Sequence, residues 1–532
     1  MFHLKRVAAI LPDISPTLRP GSWSIEAKAL AGAVAIAVSI VYLTTARYGI
    51  GLTPDSITYF SVARNLASNG WLVSYDGQIL SEFPPGYPIL LAVLKVILGV
   101  DPMISARHLN AIFFGLIVIL FGLCIQRFIV TQKFLVVAPF IIVLSIPLVS
   151  VSSIALTESI FIMVSLLFLL ALEQFICNQS KLGLRIVAIT VAIAPLIRYS
   201  GISLLPIALV AVGIISNQER VTKFRAMILV TAMGVLPLAL WTTRNWILTS
   251  TLLGLRASSF TTLQQNGEIA IMTALSWFVP GLVLNDVKAE VGILIAVAVV
   301  IALVTRSLYL KKSKIPVMVI LASIFAGTYG ALLVISSTIV AYDEIDTRLL
   351  SPIYPAMAML GIFAAERIYP KKAEISKQRI TRYAMLLLLV AFLTHAVVSI
   401  GLEIGIRLAR GAGGYNSIEW QESEIVNFLL ERGANPDIVY SNAPDALYHL
   451  ASIDASWSPA KRWYRSADSR FSLDELKQEW PAGCSVELVW FDRMNRDYLF
   501  TVDELATISE VQEVVRLSDG SISTISKTGC TN

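Results

Sequence analysis

Apolar stretches recur from residue 29 to residue 402, each close to the length of helix that crosses a bilayer. A hydrocarbon core about 30 Å thick takes roughly 20 residues of helix, and backbone inside it must satisfy its own hydrogen bonds. By that measure spans are expected near 29–48, 107–126, 135–154, 157–176, 185–197, 200–215, 226–247, 291–305, 315–340, 349–365 and 384–402. Composition points the same way. The chain is 56% hydrophobic and 15% charged, where soluble proteins carry about a quarter charged residues. The mean hydropathy is +0.71. The fold class expected is therefore an α-helical polytopic membrane protein of about 11 transmembrane helices, with further helices in the membrane interface and a small α/β unit at the C-terminus.

A formal charge of +5 would suit nucleic acid, but the basic residues fall in short loops between apolar segments, so no nucleic-acid partner is expected. Arg127 and Lys133, Lys181 and Arg185, Arg220 to Arg225, Arg306 to Lys314, and Arg367 to Arg382 alternate with neutral or acidic loops such as AYDEID at 341–346. Basic loops stay on the cytoplasmic side, which puts the N-terminal segment 1–28 inside and the C-terminal unit outside. The first helix reads as uncleaved, because many spans follow it. Arg198 interrupts the apolar stretch 185–215. Two short helices meeting there are expected, because a single span would turn the later basic loops outward.

The outer loop at 50–105 is too long for a simple connector. Thr53 suits an N-cap and Pro54 the first helical position, so Asp55 falls in the first turn of a helix that Asn69 and Gly70 end. WLVSYDGQILSEF reads as a small hairpin around Asp76 and Gly77. PPGYP at 84–88 then opens a short apolar helix, ILLAVLKVIL, which cannot cross and is expected to lie in the interface. A second outer loop, about 248–290, holds GLRASSFTTLQQNGE and TALSWFVPGLVL and is read as another partly interfacial element.

Residues 404–532 carry 19 Asp and Glu against 12 Lys and Arg and lack long apolar runs. They read as a soluble α/β unit on a glycine-rich linker, GAGG at 411–414. Asn416 with Glu419 resembles a capping box opening a helix to Arg432. DIVYSN and SVELVWF read as strands, PDALYHLAS and TVDELATIS as helices, and VVRLSDGSISTIS as a hairpin turning at Asp519 and Gly520. Cys484 and Cys530 can pair if this unit lies outside the cell, and two free thiols are the alternative.

Ionisable residues of the membrane part gather at the outer helix ends: Asp55, Glu158 in LTES, Arg198, Arg244 in WTTRNW, and Asp343, Glu344, Asp346 and Arg348. If the spans bundle, these groups face one outer cavity. An ion-coupled transporter keeps such groups near the midplane, so the distribution favours a reaction at the outer interface. A lipid-linked saccharide flippase and a non-catalytic membrane scaffold remain the alternative readings. No His or Cys spacing indicates zinc and no nucleotide-binding glycine loop is present.

TPDSITYFSVARNL after the first span, PPGYPILLA in the same loop, LTES, LIRYSG, WTTRNW and DTRLLSPIYPAMAML together resemble the GT-C superfamily of polyprenyl-phosphate-sugar-dependent glycosyltransferases. That group contains protein O-mannosyltransferases and the lipid A aminoarabinose transferase. The resemblance covers residues 30–365 and implies a glycosyltransferase domain over 29–403, with a polyprenyl-phosphate-sugar donor and an envelope glycan, lipid or protein as acceptor. It implies that Asp55 is the catalytic general base and that the sugar is transferred with inversion. Since guanidinium suits phosphate, Arg198, Arg244 and Arg348 are expected on the donor. Glu158, Asp343 and Glu344 are expected at the acceptor or at a metal, with Tyr59, Tyr87 and Asn245 as secondary candidates. Many relatives carry paired acids after the first span, whereas Ser56 follows Asp55 here. A divalent cation, Mg or Mn, therefore stays open, with Asp55, Glu158 or the DEID run as its carboxylate donors.

Overall fold

The computed structural model describes residues 24–278, 314–369, 376–433 and 438–527. The span expected near 291–305, the end of the 248–290 loop, most of the N-terminal segment and Cys530 lie outside the described residues. Among the described residues seven helices are long and apolar enough to cross a membrane, or eight if one bent pair is a single span. The expected eleven are thus not all seen at full length. The protein is a multi-pass membrane protein.

The helices in order are α1 (Ile25–Thr44), α2 (Pro54–Asn69), α3 (Gly86–Leu98), α4 (Pro102–Gln126), α5 (Gln132–Val143), α6 (Ile146–Ser152), α7 (Glu158–Asn178) and α8 (Lys181–Ile197). After a 3-10 turn at Tyr199–Ser203 come α9 (Leu204–Val210), α10 (Arg220–Thr249), α11 (Leu263–Ser276), α12 (Val317–Ile339), α13 (Thr347–Leu350), α14 (Tyr354–Ile368) and α15 (Ser376–Arg410). The span expected at 135–154 is built from α5 and α6, which are bent by 48° at the break between them. Pro147 in the first turn of α6 lacks an N–H and cannot continue the ladder of α5. The break expected at Arg198 is present: its backbone is extended at φ −144°, between α8 and the 3-10 turn. A Cβ on Gly201 would run into the backbone of Ala194, so only glycine lets the chain double back this closely.

Buried Phe114, Phe121, Phe161, Phe168, Phe325 and Tyr329 fill the bundle. At one end, Gly51 N–H donates to Ser153 O and Leu52 N–H to Gly413 O, which gathers the ends of α1, α6 and α15. At the other, Glu366 Oε1 accepts from the N–H groups of Val130 and Thr131 at 3.1 and 3.0 Å. Gln218 Nε2 there donates to Phe175 O.

The 50–105 loop forms the helix, hairpin and short apolar helix read from its sequence, and together they make a roof over one end of the bundle. Thr53 and Ser56 make a reciprocal capping box at the start of α2, and Gly70 ends it in the left-handed conformation. Val73 and Ile79 pair in the small hairpin. α3 buries Tyr87, Leu91 and Ala92 and exposes Val93, Val96, Ile97 and Leu98. Arg64 of α2 binds both carboxylate oxygens of Asp101 at 3.0 Å, and Asp101 also caps α4, which ties the roof to the bundle.

The C-terminal unit is α/β. Its strands β1 (Val439–Ser441), β2 (Ser456–Trp457), β3 (Ser485–Phe491), β4 (Glu510–Leu517) and β5 (Gly520–Ser526) form one sheet in the order β2-β1-β3-β5-β4. β1 runs parallel to β2 and β3, and β5 lies antiparallel between β3 and β4. Val489 and Phe491 face one core and Val486 and Leu488 another, the period-2 pattern of a sheet covered on both sides. Cys484 is disulfide-bonded, while Cys124 and Cys177 are free.

Two expectations for this unit are corrected. Asn416 does not cap a helix. Its side chain donates to Ile50 O at 2.8 Å, and the first helices are α16 (Ile418–Gln421) and α17 (Glu424–Arg432), the latter capped by Ser423. The glycine-rich stretch is not a free linker either. Gly414, at φ +63°, lies so close to Leu52 O that any Cβ would clash, and Tyr415 N–H donates to the same carbonyl. Leu52, Phe60 and Tyr87 of the roof share one continuous core with Tyr415, Trp420 and Phe491.

Candidate functional site

A cavity of about 460 Å³ opens where the roof, the bundle and the C-terminal unit meet. Local sequence brings each charged group to it. The capping box holds Asp55 in the first turn of α2, and Glu158 begins α7, so both carboxylates sit at helix N-termini where the macrodipole favours them. Asp346 caps α13 through the Leu349 N–H and thereby fixes Arg348 in the first turn of that helix. The extended backbone at Arg198 turns that side chain off the end of α8.

These groups form a connected cluster. Arg348 pairs with Asp55 at 3.1 Å, approaches Glu158 at 4.0 Å, and makes a close contact with Asp343. Arg198 pairs with Glu158 at 2.5 Å and donates to Thr157 Oγ1 at 3.0 Å. Glu158 is only 1% exposed, and Arg198 is its close partner inside the protein. Asp55 remains 28% exposed toward the cavity. Burial pushes its carboxyl above the ordinary carboxylate value, and the guanidinium of Arg348 opposes this only in part.

Of the residues singled out in the sequence, Asp55, Tyr59, Glu158, Arg198, Asp343 and Arg348 line this cavity. Arg244, Asn245, Tyr87 and Glu344 are not among its lining residues. The Arg244 guanidinium donates to Leu80 O and Asn245 Oδ1 and stacks over Trp241 at 4.8 Å, so its hydrogen-bonding capacity serves the roof. Asn245 is buried and donates to Leu252 O. Tyr87 is buried edge-on to Tyr59. Glu344 pairs with Arg465 of the C-terminal unit at 3.1 Å.

Sequence reasoning missed Glu82, Tyr199, Arg256, Tyr342 and Tyr464, which also line the cavity. Arg256 hydrogen-bonds the carbonyls of Leu253 and Glu82, and lies over the Tyr342 ring at 5.3 Å. GLRASS stood out in the second loop without any sign that its arginine turns inward. Burial pushes the carboxyl of Glu82 upward.

Of the carboxylates that could take a cation, Asp55, Glu158, Asp343 and Glu344 pair with arginines, while Asp346 caps α13. Among the described residues no group of three or more His, Cys, Asp or Glu side chains is placed to hold a metal ion. We derive no step through one.

No protein-family model and no curated protein matches this sequence. Solved structures do. ArnT from Cupriavidus metallidurans in the apo state is 13% identical over 93% of this chain and 97% of its own, with a TM-score of 0.56. The same protein bound to undecaprenyl phosphate is 14% identical, with equal coverage and TM-score. Arabinofuranosyltransferase AftD from Mycobacteria is 15% identical over 96% of this chain and 42% of its own, with a TM-score of 0.51. This chain therefore shares its fold with these solved structures.

Proposed function

We propose that this protein is an integral membrane glycosyltransferase that moves a sugar from a polyprenyl-phosphate donor to a hydroxyl of an envelope glycan, lipid or protein. The reaction would take place on the outer face of the cytoplasmic membrane, with the N-terminus inside and the C-terminal unit outside, as the basic loops direct. The observation that carries this reading is the partly exposed Asp55 held against Arg348 at a cavity that also receives Arg198 and Arg256. The shared fold supports it, since ArnT has been seen with undecaprenyl phosphate.

The chemistry needs one base and several cations. Asp55 takes the proton of the acceptor hydroxyl as that oxygen attacks the anomeric carbon from the face opposite the phosphate. The bond from that carbon to the phosphate oxygen breaks, the electron pair leaves with the lipid phosphate, and the configuration inverts. A phosphate leaves without protonation when cations offset its charge, and Arg348, Arg198 and Arg256 are the cavity guanidiniums for that task. Glu158 neutralises Arg198 and holds it at the wall. Tyr59 offers a ring beside the base for sugar packing.

Purified full-length protein given a radiolabelled polyprenyl-phosphate sugar and envelope acceptors should transfer label. Asp55→Asn should lose about 10²–10⁴-fold in rate, the usual contribution of a general base. Equal product from wild type and Asp55→Asn would sink the assignment, and a flippase would tolerate the change.

A further inference from the structure

A finger of the C-terminal unit reaches the cavity. Arg462 and Ser469 pair at its base, and the Ser466 N–H donates to Trp463 O across its tip. Arg465 at the tip adopts φ +52°, a left-handed conformation that residues other than glycine rarely take. Contacts with the membrane part hold it there. Arg465 pairs with Glu344 at 3.1 Å, and Asp468 Oδ2 accepts from the Ser258 N–H and Oγ at 3.1 and 2.6 Å. Between them Tyr464 lines the cavity and donates its O–H to Asp343 Oδ1 at 3.2 Å.

The second oxygen of Asp343 takes Arg348, which also faces Asp55 and Glu158. A hydrogen-bonded path therefore runs from the C-terminal unit through Tyr464, Asp343 and Arg348 to Asp55. Three carboxylates (Asp55, Glu158, Asp343) meet two guanidiniums (Arg198, Arg348) in this cluster. The carboxylates thus compete with any incoming anion for Arg348. A carboxylate that accepts a phenol hydrogen bond has part of its charge satisfied and holds a guanidinium less strongly.

Resting on the lipid-phosphate reading of the cavity, we propose that Tyr464 is a positioning residue supplied by the C-terminal unit. By holding one oxygen of Asp343 it loosens that carboxylate's grip on Arg348 and leaves the guanidinium available to the donor phosphate. The site is then composite, incomplete without the C-terminal unit.

The test is binding of undecaprenyl phosphate to the full-length protein in lipid nanodiscs, compared for wild type, Tyr464→Phe, Asp343→Asn and the double variant. Tyr464→Phe keeps the ring and removes only the hydroxyl. It should weaken binding measurably and by no more than about tenfold, since the worth of one hydrogen bond bounds an effect passed on through Asp343. Asp343→Asn should bind at least as tightly as wild type, and in that background Tyr464→Phe should change nothing. A residue that merely packs would give the same loss in both backgrounds, which would overturn the proposal, as would no loss in either. Wild type that fails to bind undecaprenyl phosphate would overturn the lipid-phosphate reading itself and this role with it. That result is distinct from wild type that binds and variants that do not respond.

Discussion

At the cavity end of the bundle, Asp55 and Asp343 meet Arg348 while Glu158 meets Arg198, and all of them border open volume. At the far end, Glu366 accepts from the N–H groups of Val130 and Thr131, and Glu173 lies 3.7 Å from Arg127, away from the cavity lining. Both ends contain carboxylates and arginines in partly buried positions. The far-end carboxylate Glu366 satisfies backbone groups where α4 gives way to α5, so its work is structural. At the cavity end the pairs are mutual, side chain to side chain, and a substrate can rearrange them. Charge at a helix end therefore does not mark a site by itself; open volume and exchangeable partners do.

This contrast can be broken by mutation. The largest effect on stability is expected from Arg198→Ala, which removes the close partner of buried Glu158, leaves it only Arg348 at 4.0 Å, and should cost about 3–5 kcal/mol. Thermal unfolding in detergent would measure it, and a loss below 1 kcal/mol would show that Glu158 is not held as described. Glu366→Ala should cost about 1–3 kcal/mol, because the N–H groups at the turn lose their acceptor, while transfer by the folded fraction stays at the wild-type rate. A transfer defect beyond the folded fraction would erase the distinction between the ends.

The smallest effect sharpens the cavity side. Asp55 acts in its charged form, and its folded pKa is already raised, so transfer should climb with pH through a value above the ordinary carboxylate range and fall as the solution is acidified. Arg348→Gln removes the positive charge that opposes this shift. The acidic limb of the rate profile should then move to higher pH. A move to lower pH would contradict the pairing of Asp55 with Arg348.

Features with local causes were legible in the sequence. Thr53, Pro54 and Gly70 fix α2 through capping and backbone conformation, and these depend only on neighbours along the chain. The break at Arg198 followed from the polarity of the loops on either side. Other features needed the assembled molecule. Arg244 and Arg256 both lie near the cavity end of the bundle, yet Arg244 packs on Trp241 and Leu80 O whereas Arg256 turns into the cavity. Nothing local to either residue separates them. Tyr464 joins the site through a contact 121 residues away in the chain. In sequence the glycines at 411–414 suit a linker and a close approach to another backbone equally well, and only the fold separates the two.

The most direct test sets one carboxylate from each end in the same transfer assay, with radiolabelled polyprenyl-phosphate sugar and full-length protein. Asp55→Asn should fall by at least about a hundredfold while Glu366→Gln transfers label at the wild-type rate. Wild-type turnover in Asp55→Asn, or equal loss in both variants, would contradict the assignment of the reaction to the cavity end.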